Sequence, residues 1–219
     1  MEDLELTVIG DSFAEGRGGS VRPDGSFAGF ITTMTKELGI SGGILNLGAY
    51  GATTQDVVDR QLPVALECPA PLTGVIVGGN DLIADYHRDR FERNLQRIYS
   101  GLAQPGRLVF TTNWPAIPDR LPGLDAASVS VLRARFAEAN SYIDTLVQEF
   151  GLVCLDLANA PITADPVMWC PDGMHPSPAG HQIIGIAMAE LIDEARAVHV
   201  PPRGSRKVLE TGGYREPSE

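Results

Sequence analysis

Cysteine is scarce in this chain. Its three copies, Cys68, Cys154 and Cys170, are odd in number and widely spaced. They lack the paired spacing of a zinc site or a redox motif, so neither a disulfide framework nor a thiolate metal site is expected. Each reads as a small buried hydrophobe, with Cys170 set apart because it lies two residues before Asp172. Long apolar runs are missing too, and no stretch approaches the ~20 residues that cross a bilayer. Positive charge is short: 17 Lys and Arg stand against 28 Asp and Glu, a formal net charge of -11. That balance opposes binding to phosphate backbones, where affinity comes from cationic side chains releasing counterions. Neither nucleic acid nor an anionic membrane is an expected partner. The opening Met1-Glu2-Asp3-Leu4-Glu5 is acidic where a signal peptide is basic, which makes a cytoplasmic protein the expectation. A phosphate loop is also wanting, since Gly16-Arg17-Gly18-Gly19 has neither its spacing nor its lysine. No metal or organic cofactor is expected.

What is present is an ordinary globular composition. The apolar fraction is 43% and the charged fraction 21% over 219 residues, which fits one domain with one core. Residues 1–200 are read as that domain. From Pro201 the Pro-, Gly- and Glu-containing end loses all periodicity, so 201–219 is read as a flexible or loosely docked tail.

Apolar patterning alternates between two periods along the chain. Strands are expected at Leu4 to Ile9, Ile44 to Leu47, Gly74 to Val77, Arg107 to Thr111 and Leu152 to Leu155. Helices are expected from Phe27 to Leu38, from Thr53 or Thr54 to Leu62, from Asp89 to Leu102, from Asp125 to Phe150 and from Pro178 to Val198. Short strands alternating with amphipathic helices argue an α/β fold with a parallel sheet covered on both faces. In such sheets ligands bind outside the carboxyl ends of the strands, so functional residues should follow strands.

Three strand ends carry candidates. Gly10-Asp11-Ser12 follows the first strand, where a glycine permits the sharp turn that exposes a serine at the sheet edge. Taken alone, this tripeptide is equally a turn or helix cap built by Asp and Ser. The second strand leads into Gly48, whose backbone N–H could face the same point. The third ends in Gly78-Gly79-Asn80-Asp81, a glycine pair followed by an amide able to donate a hydrogen bond. Near the C-terminus, Asp172 and His175 stand three apart in the loop Trp169 to Ser177. A histidine there can take a serine proton, and a carboxylate can fix its tautomer. The loops Asn113 to Pro122 and Thr163 to Trp169 should line the crevice, with Trp114 and Trp169 read either as candidate substrate-binding walls or as core residues. Glu15, near the serine, reads as an exposed loop carboxylate.

In this order the blocks resemble the SGNH hydrolase superfamily, the GDSL-type esterases and lipases, over about Leu4 to Leu191. The resemblance implies a three-layer α/β/α sandwich with a flavodoxin-like, mostly parallel five-stranded sheet. It also implies Ser12 as nucleophile, His175 as base and Asp172 as its partner. The oxyanion hole would then be the Ser12 N–H, the Gly48 N–H and the Asn80 side chain. Phe13 departs from the leucine common in the family after the serine, which bears on substrate and not on the triad. The function so implied is a serine esterase acting on an ester of a small acyl group, acetyl included, through an acyl-enzyme. An acyltransferase using the same acyl-enzyme and a non-catalytic module for acylated or glycosylated ligands are the alternatives. The expected partner is a small-molecule ester.

Overall fold

The computed structural model describes residues 4–197 and the backbone of 206–208. The first strand, β1 (Leu4–Gly10), is buried on both faces from Leu6 onward, as a central strand must be. Its last residue feeds directly into the short helix α1 (Ser12–Glu15), and a two-residue hairpin, β2 (Ser20–Val21) with β3 (Phe27–Ala28), leads to α2 (Phe30–Glu37). β4 (Gly43–Asn46) follows. A helical stretch then runs through α3 (Thr54–Asp56), a π-helical turn (Val57–Gln61) and α4 (Leu62–Glu67). Next come β5 (Leu72–Ile76), α5 (Gly79–Ile83), α6 (Arg88–Leu102), β6 (Leu108–Thr112), α7 (Ala126–Phe150), β7 (Val153–Asp156), α8 (Pro178–Ala197) and β8 (Arg206–Val208).

The main sheet has the order β4-β1-β5-β6-β7-β8, with every neighbouring pair parallel. Its first five strands have the flavodoxin-like order, and the chain reverses its direction of travel at β1. The five expected strands are all present, and the sheet gains a sixth. That strand, β8, falls inside the segment read as a flexible tail: Cys154, Leu155 and Asp156 pair with Arg206, Lys207 and Val208. The other residues of 201–219 lie outside the described residues.

The helix expected from Phe27 begins later, at Phe30, because the chain at Gly29 is pressed against Gly16. A Cβ on Gly29 would lie 2.3 Å from the Gly16 Cα, so this segment stays extended until it has passed that contact. α2 then packs on α8, at a crossing close enough that a Cβ on Gly185 would lie 2.5 Å from the Thr33 Cβ. α4, α6 and α7 make a second helical group. One core runs through the molecule, from Leu6, Val8 and Ile9 of β1 to Ile184, Met188 and Ile192 of α8. Among the described residues no helix is long and apolar enough to cross a membrane.

Candidate active site

The turn after β1 is built around Gly10. Its φ is +148°, and a Cβ there would sit 1.9 Å from the Ile76 carbonyl oxygen, so only glycine lets β1 and β5 end side by side. The Gln61 side chain grips this glycine from both sides, accepting its N–H at 2.7 Å and donating to its C=O at 2.9 Å. Gln61 closes the π-helical turn, and such turns often mark functional sites. Asp11 caps α1 by accepting the Phe13 N–H at 2.9 Å, which sets Ser12 as the first helical residue.

Ser12 and His175 are both nearly enclosed, at 4% and 6% exposure. The His175 Nε2 lies 2.8 Å from the Ser12 Oγ, and its Nδ1 lies 2.6 Å from the Asp172 Oδ2. A carboxylate only accepts, so Nδ1 carries the ring proton and Nε2 is left to accept from the serine. The other oxygen of Asp172 accepts the N–H groups of Met174 at 2.9 Å and His175 at 3.0 Å. Partial burial works to raise the Asp172 pKa, but the hydrogen bonds from His175 and Met174 outweigh it and hold the carboxyl below its usual range. The structure thus brings the Asp172–His175 pair to Ser12, which lies 163 positions before His175 in the sequence.

The loop bearing Asp172 and His175 is pinned at several points. The Cys170 N–H donates to the His175 C=O at 2.8 Å and Ser177 N–H to the Met168 C=O at 2.8 Å. A Cβ on Gly173 would lie 2.2 Å from the Arg120 carbonyl oxygen. Trp169, expected as a wall of the crevice, serves this loop instead. Its indole N–H donates to the Thr163 C=O at 2.8 Å, and the Arg120 guanidinium lies 3.8 Å from its ring centroid. It is only 8% exposed and is not among the residues around Ser12. An aromatic residue near a crevice reads the same in sequence whether it lines the crevice or props the loop beside it.

Trp114 does stand at the site. With Ile117, Met174, Asn80 and His175 it bounds a narrow recess over Ser12. Its ring meets Phe13 edge-on at 6.1 Å and Phe136 edge-on at 6.4 Å, so it is a fixed wall. The segment Thr163 to Trp169, expected beside it, contributes nothing to that recess.

The two remaining candidates sit on neighbouring strand ends. Gly48 lies against α1 so closely that a Cβ would be 2.4 Å from the Glu15 nitrogen. Its N–H donates to the Asn46 Oδ1 at 2.9 Å. Asn80, in the first turn of α5, donates one amide hydrogen to the Ala52 C=O at 3.0 Å. A carboxamide nitrogen carries two hydrogens, so a second remains for a ligand. The Ser12 N–H, at the start of α1, has no carbonyl of its own helix to bind.

A comparison with protein families matches residues 8–183 to the GDSL-like lipase/acylhydrolase family. The chain belongs to that family. It is a serine hydrolase acting on ester bonds. Comparison with curated proteins finds no match. Solved structures share the fold of this GDSL hydrolase at low identity. An alpha/beta hydrolase from the metagenome of Lake Arreo, Spain, is 21% identical, with a TM-score of 0.66 over 86% of this chain and 95% of that one. An acetylxylan esterase from Geobacillus stearothermophilus is 19% identical, with a TM-score of 0.65 over 86% and 93%. An extracellular lipase from Streptomyces rimosus is 16% identical, with a TM-score of 0.63 over 87% and 99%.

Behind the nucleophile this GDSL hydrolase buries groups that sequence reasoning did not single out. Burial pushes the Asp11 carboxyl up to about 7, against the pull of the Phe13 N–H and with a further push from Asp81. Asp81 is itself raised by burial, against hydrogen bonds from the Thr54 N–H and hydroxyl. His181, on the buried face of α8, accepts the Phe30 N–H at 3.0 Å and faces the Arg17 C=O at 2.9 Å through its other nitrogen. Burial holds it down at about 4, so it is a neutral strut joining α2, α8 and the loop after α1. A lone polar residue on an apolar helical stripe was the available signal. Glu15, expected as an exposed carboxylate, is partly buried and pairs with Arg17 at 3.2 Å. Among the described residues no group of His, Cys, Asp and Glu is placed to hold a metal ion.

Proposed function

We propose that this hydrolase cleaves esters of a small acyl group, acetyl in the first instance, through an acyl-enzyme on Ser12. The carrying observation is the unbroken chain from Asp172 through His175 to the Ser12 hydroxyl, at 2.6 and 2.8 Å. His175 Nε2 takes the Ser12 proton as Oγ attacks the ester carbonyl, and Asp172 stabilises the imidazolium that forms. The carbonyl oxygen becomes an oxyanion facing the Ser12 N–H, the free amide hydrogen of Asn80 and the Gly48 N–H. His175 then gives its proton to the leaving alcohol. A water molecule, deprotonated by the same nitrogen, attacks the acyl-enzyme and releases the acid and Ser12.

The acyl preference rests on the wall of Trp114, Ile117 and Met174 over Ser12. Trp114 and Ile117 are packed in the core, so a long chain would have to displace them. The acetylxylan esterase among the similar structures is in line with that choice. The test is turnover of p-nitrophenyl acetate, butyrate and octanoate by wild type and Ser12→Ala. The reading expects kcat/KM to fall with chain length and the variant to be inactive on all three. Octanoate turned over as well as acetate would contradict the small acyl site, and an active Ser12→Ala would contradict the mechanism.

A further inference from the structure

The ester has two halves, and the larger needs an open surface beside the catalytic atoms. The recess over Ser12 is closed by Trp114, Ile117 and Met174. Across the loop 47–52 lies an open recess of about 400 Å³, bounded by Leu47, Tyr50, Ala52, Asp56 and Arg60. Tyr50 separates this recess from the catalytic residues: its ring centroid is 6.4 Å from that of His175. His175 must protonate the departing alcohol, and Tyr50, beside the His175 ring, is within reach of that alcohol.

Tyr50 is presented for contact. It is 66% exposed. It is held there by Arg17, whose guanidinium lies 4.0 Å from its centroid and 5.2 Å from that of Phe27. The same loop is tied to the oxyanion donors, since it contains Gly48 and its Ala52 carbonyl accepts from Asn80.

The charges around the recess choose among alcohols. Arg17 is paired with Glu15 at 3.2 Å and Arg60 with Asp56 at 3.6 Å. Each cation is balanced by a carboxylate, so the surface favours neither an anionic nor a cationic ligand. It still offers donors on Arg60, which is 80% exposed, and acceptors on Asp56. A plain alkyl alcohol would strip water from these groups and replace none of their hydrogen bonds. A ring with hydroxyls on its edge and C–H groups on its face satisfies both, because aromatic faces carry partial negative charge that attracts such hydrogens.

We infer that Tyr50, clamped by Arg17 beside His175, is the platform of an alcohol subsite for a neutral polyhydroxylated ring, and that the substrates are O-acetylated sugars. This rests on the esterase reading above. The experiment compares acetate release from an O-acetylated methyl glucopyranoside and from ethyl acetate, whose alcohol is too short to span the ring. Wild type, Tyr50→Ala, Tyr50→Phe and Arg17→Gln are used, each checked for an unchanged melting temperature. Wild type is expected to favour the sugar ester. Tyr50→Ala is expected to lower the sugar-to-ethyl ratio of kcat/KM by about five- to tenfold, mainly through KM, the size an aromatic contact supplies. Tyr50→Phe should keep most of the ratio, and Arg17→Gln should lose part of it. A wild-type preference for ethyl acetate, or a ratio unmoved by Tyr50→Ala, overturns the subsite while leaving the esterase standing. Release from neither ester, with no covalent labelling of Ser12, brings down the esterase reading and the subsite with it.

Discussion

Asn46 ties Gly48 to α1: its Oδ1 accepts the Gly48 N–H at 2.9 Å while its Nδ2 donates to the Ala14 C=O at 2.8 Å. The glycine N–H proposed for the oxyanion hole is therefore already engaged by a neutral acceptor in the resting site. Asn80 keeps an uncommitted amide hydrogen, which makes it the stronger side-chain contributor. Asn80→Ala is expected to lower kcat by about 10²–10³ with a small change in KM, measured by steady-state kinetics on p-nitrophenyl acetate. A loss under threefold would remove Asn80 from the oxyanion hole.

If the proposed acyl site is right, Trp114 sets acyl length. Ile117→Ala and Trp114→Ala should both raise the butyrate-to-acetate ratio of kcat/KM, the tryptophan variant more, by roughly tenfold or greater since each added methylene is worth ~1–3 kcal/mol in such a pocket. Because Trp114 also packs on Phe13 and Phe136, its truncation should cost ~3–5 kcal/mol of stability. The Ile117 variant keeps the test readable if Trp114→Ala fails to fold. Ratios unchanged in both would place the acyl chain elsewhere.

Asp172 acts through the histidine tautomer. Asp172→Asn can still accept the His175 and Met174 N–H groups, so the melting temperature should barely move. It cannot hold Nδ1 protonated as a carboxylate does, so kcat should drop by on the order of 10⁴. Near-normal turnover in a folded Asp172→Asn would assign the ring orientation to the loop alone.

Two buried groups give stability opposite dependences on pH. His181 is held down at about 4 from 6.5, so the unfolded chain takes up a proton that the fold refuses. Its contribution is full above 6.5 and is lost as pH falls toward 4. Asp11 is lifted from 3.8 to about 7, so the fold keeps a proton that the unfolded chain releases. Its contribution is full below 3.8 and is lost as pH rises through 7. Each amounts to on the order of 3 kcal/mol across its window. Urea unfolding across this range should show Asp11→Asn gaining on wild type as pH rises, and His181→Gln gaining on it as pH falls. Parallel curves for wild type and both variants would contradict these assignments.

Much of the framework was legible in the sequence, and the exceptions share a cause. Runs such as Leu4 to Ile9 and Arg107 to Thr111 are apolar, short and closed by turn residues, and all five expected strands fall within about two residues of their observed bounds. Ser12 follows β1 and opens α1, and Asp172 and His175 stand three apart in the loop that leads to α8, which made these three residues legible as candidates. The hairpin of β2 and β3 and the strand β8 have two or three residues each, too few for any period to show. Gln61, His181 and Tyr50 take their roles from partners 51, 151 and 125 positions away. Trp169 was misplaced for the same reason, since the Thr163 carbonyl and the Arg120 guanidinium that hold it are defined only by the fold.

The central claim is that Ser12 is an activated nucleophile, and covalent labelling tests it most directly. Wild type and Ser12→Ala would be treated with a fluorophosphonate and read by intact mass, with the adduct located by peptide mapping. The account predicts one adduct on wild type, at Ser12, and none on the variant. A folded wild type that takes no label, or a Ser12→Ala variant that labels equally, would contradict it.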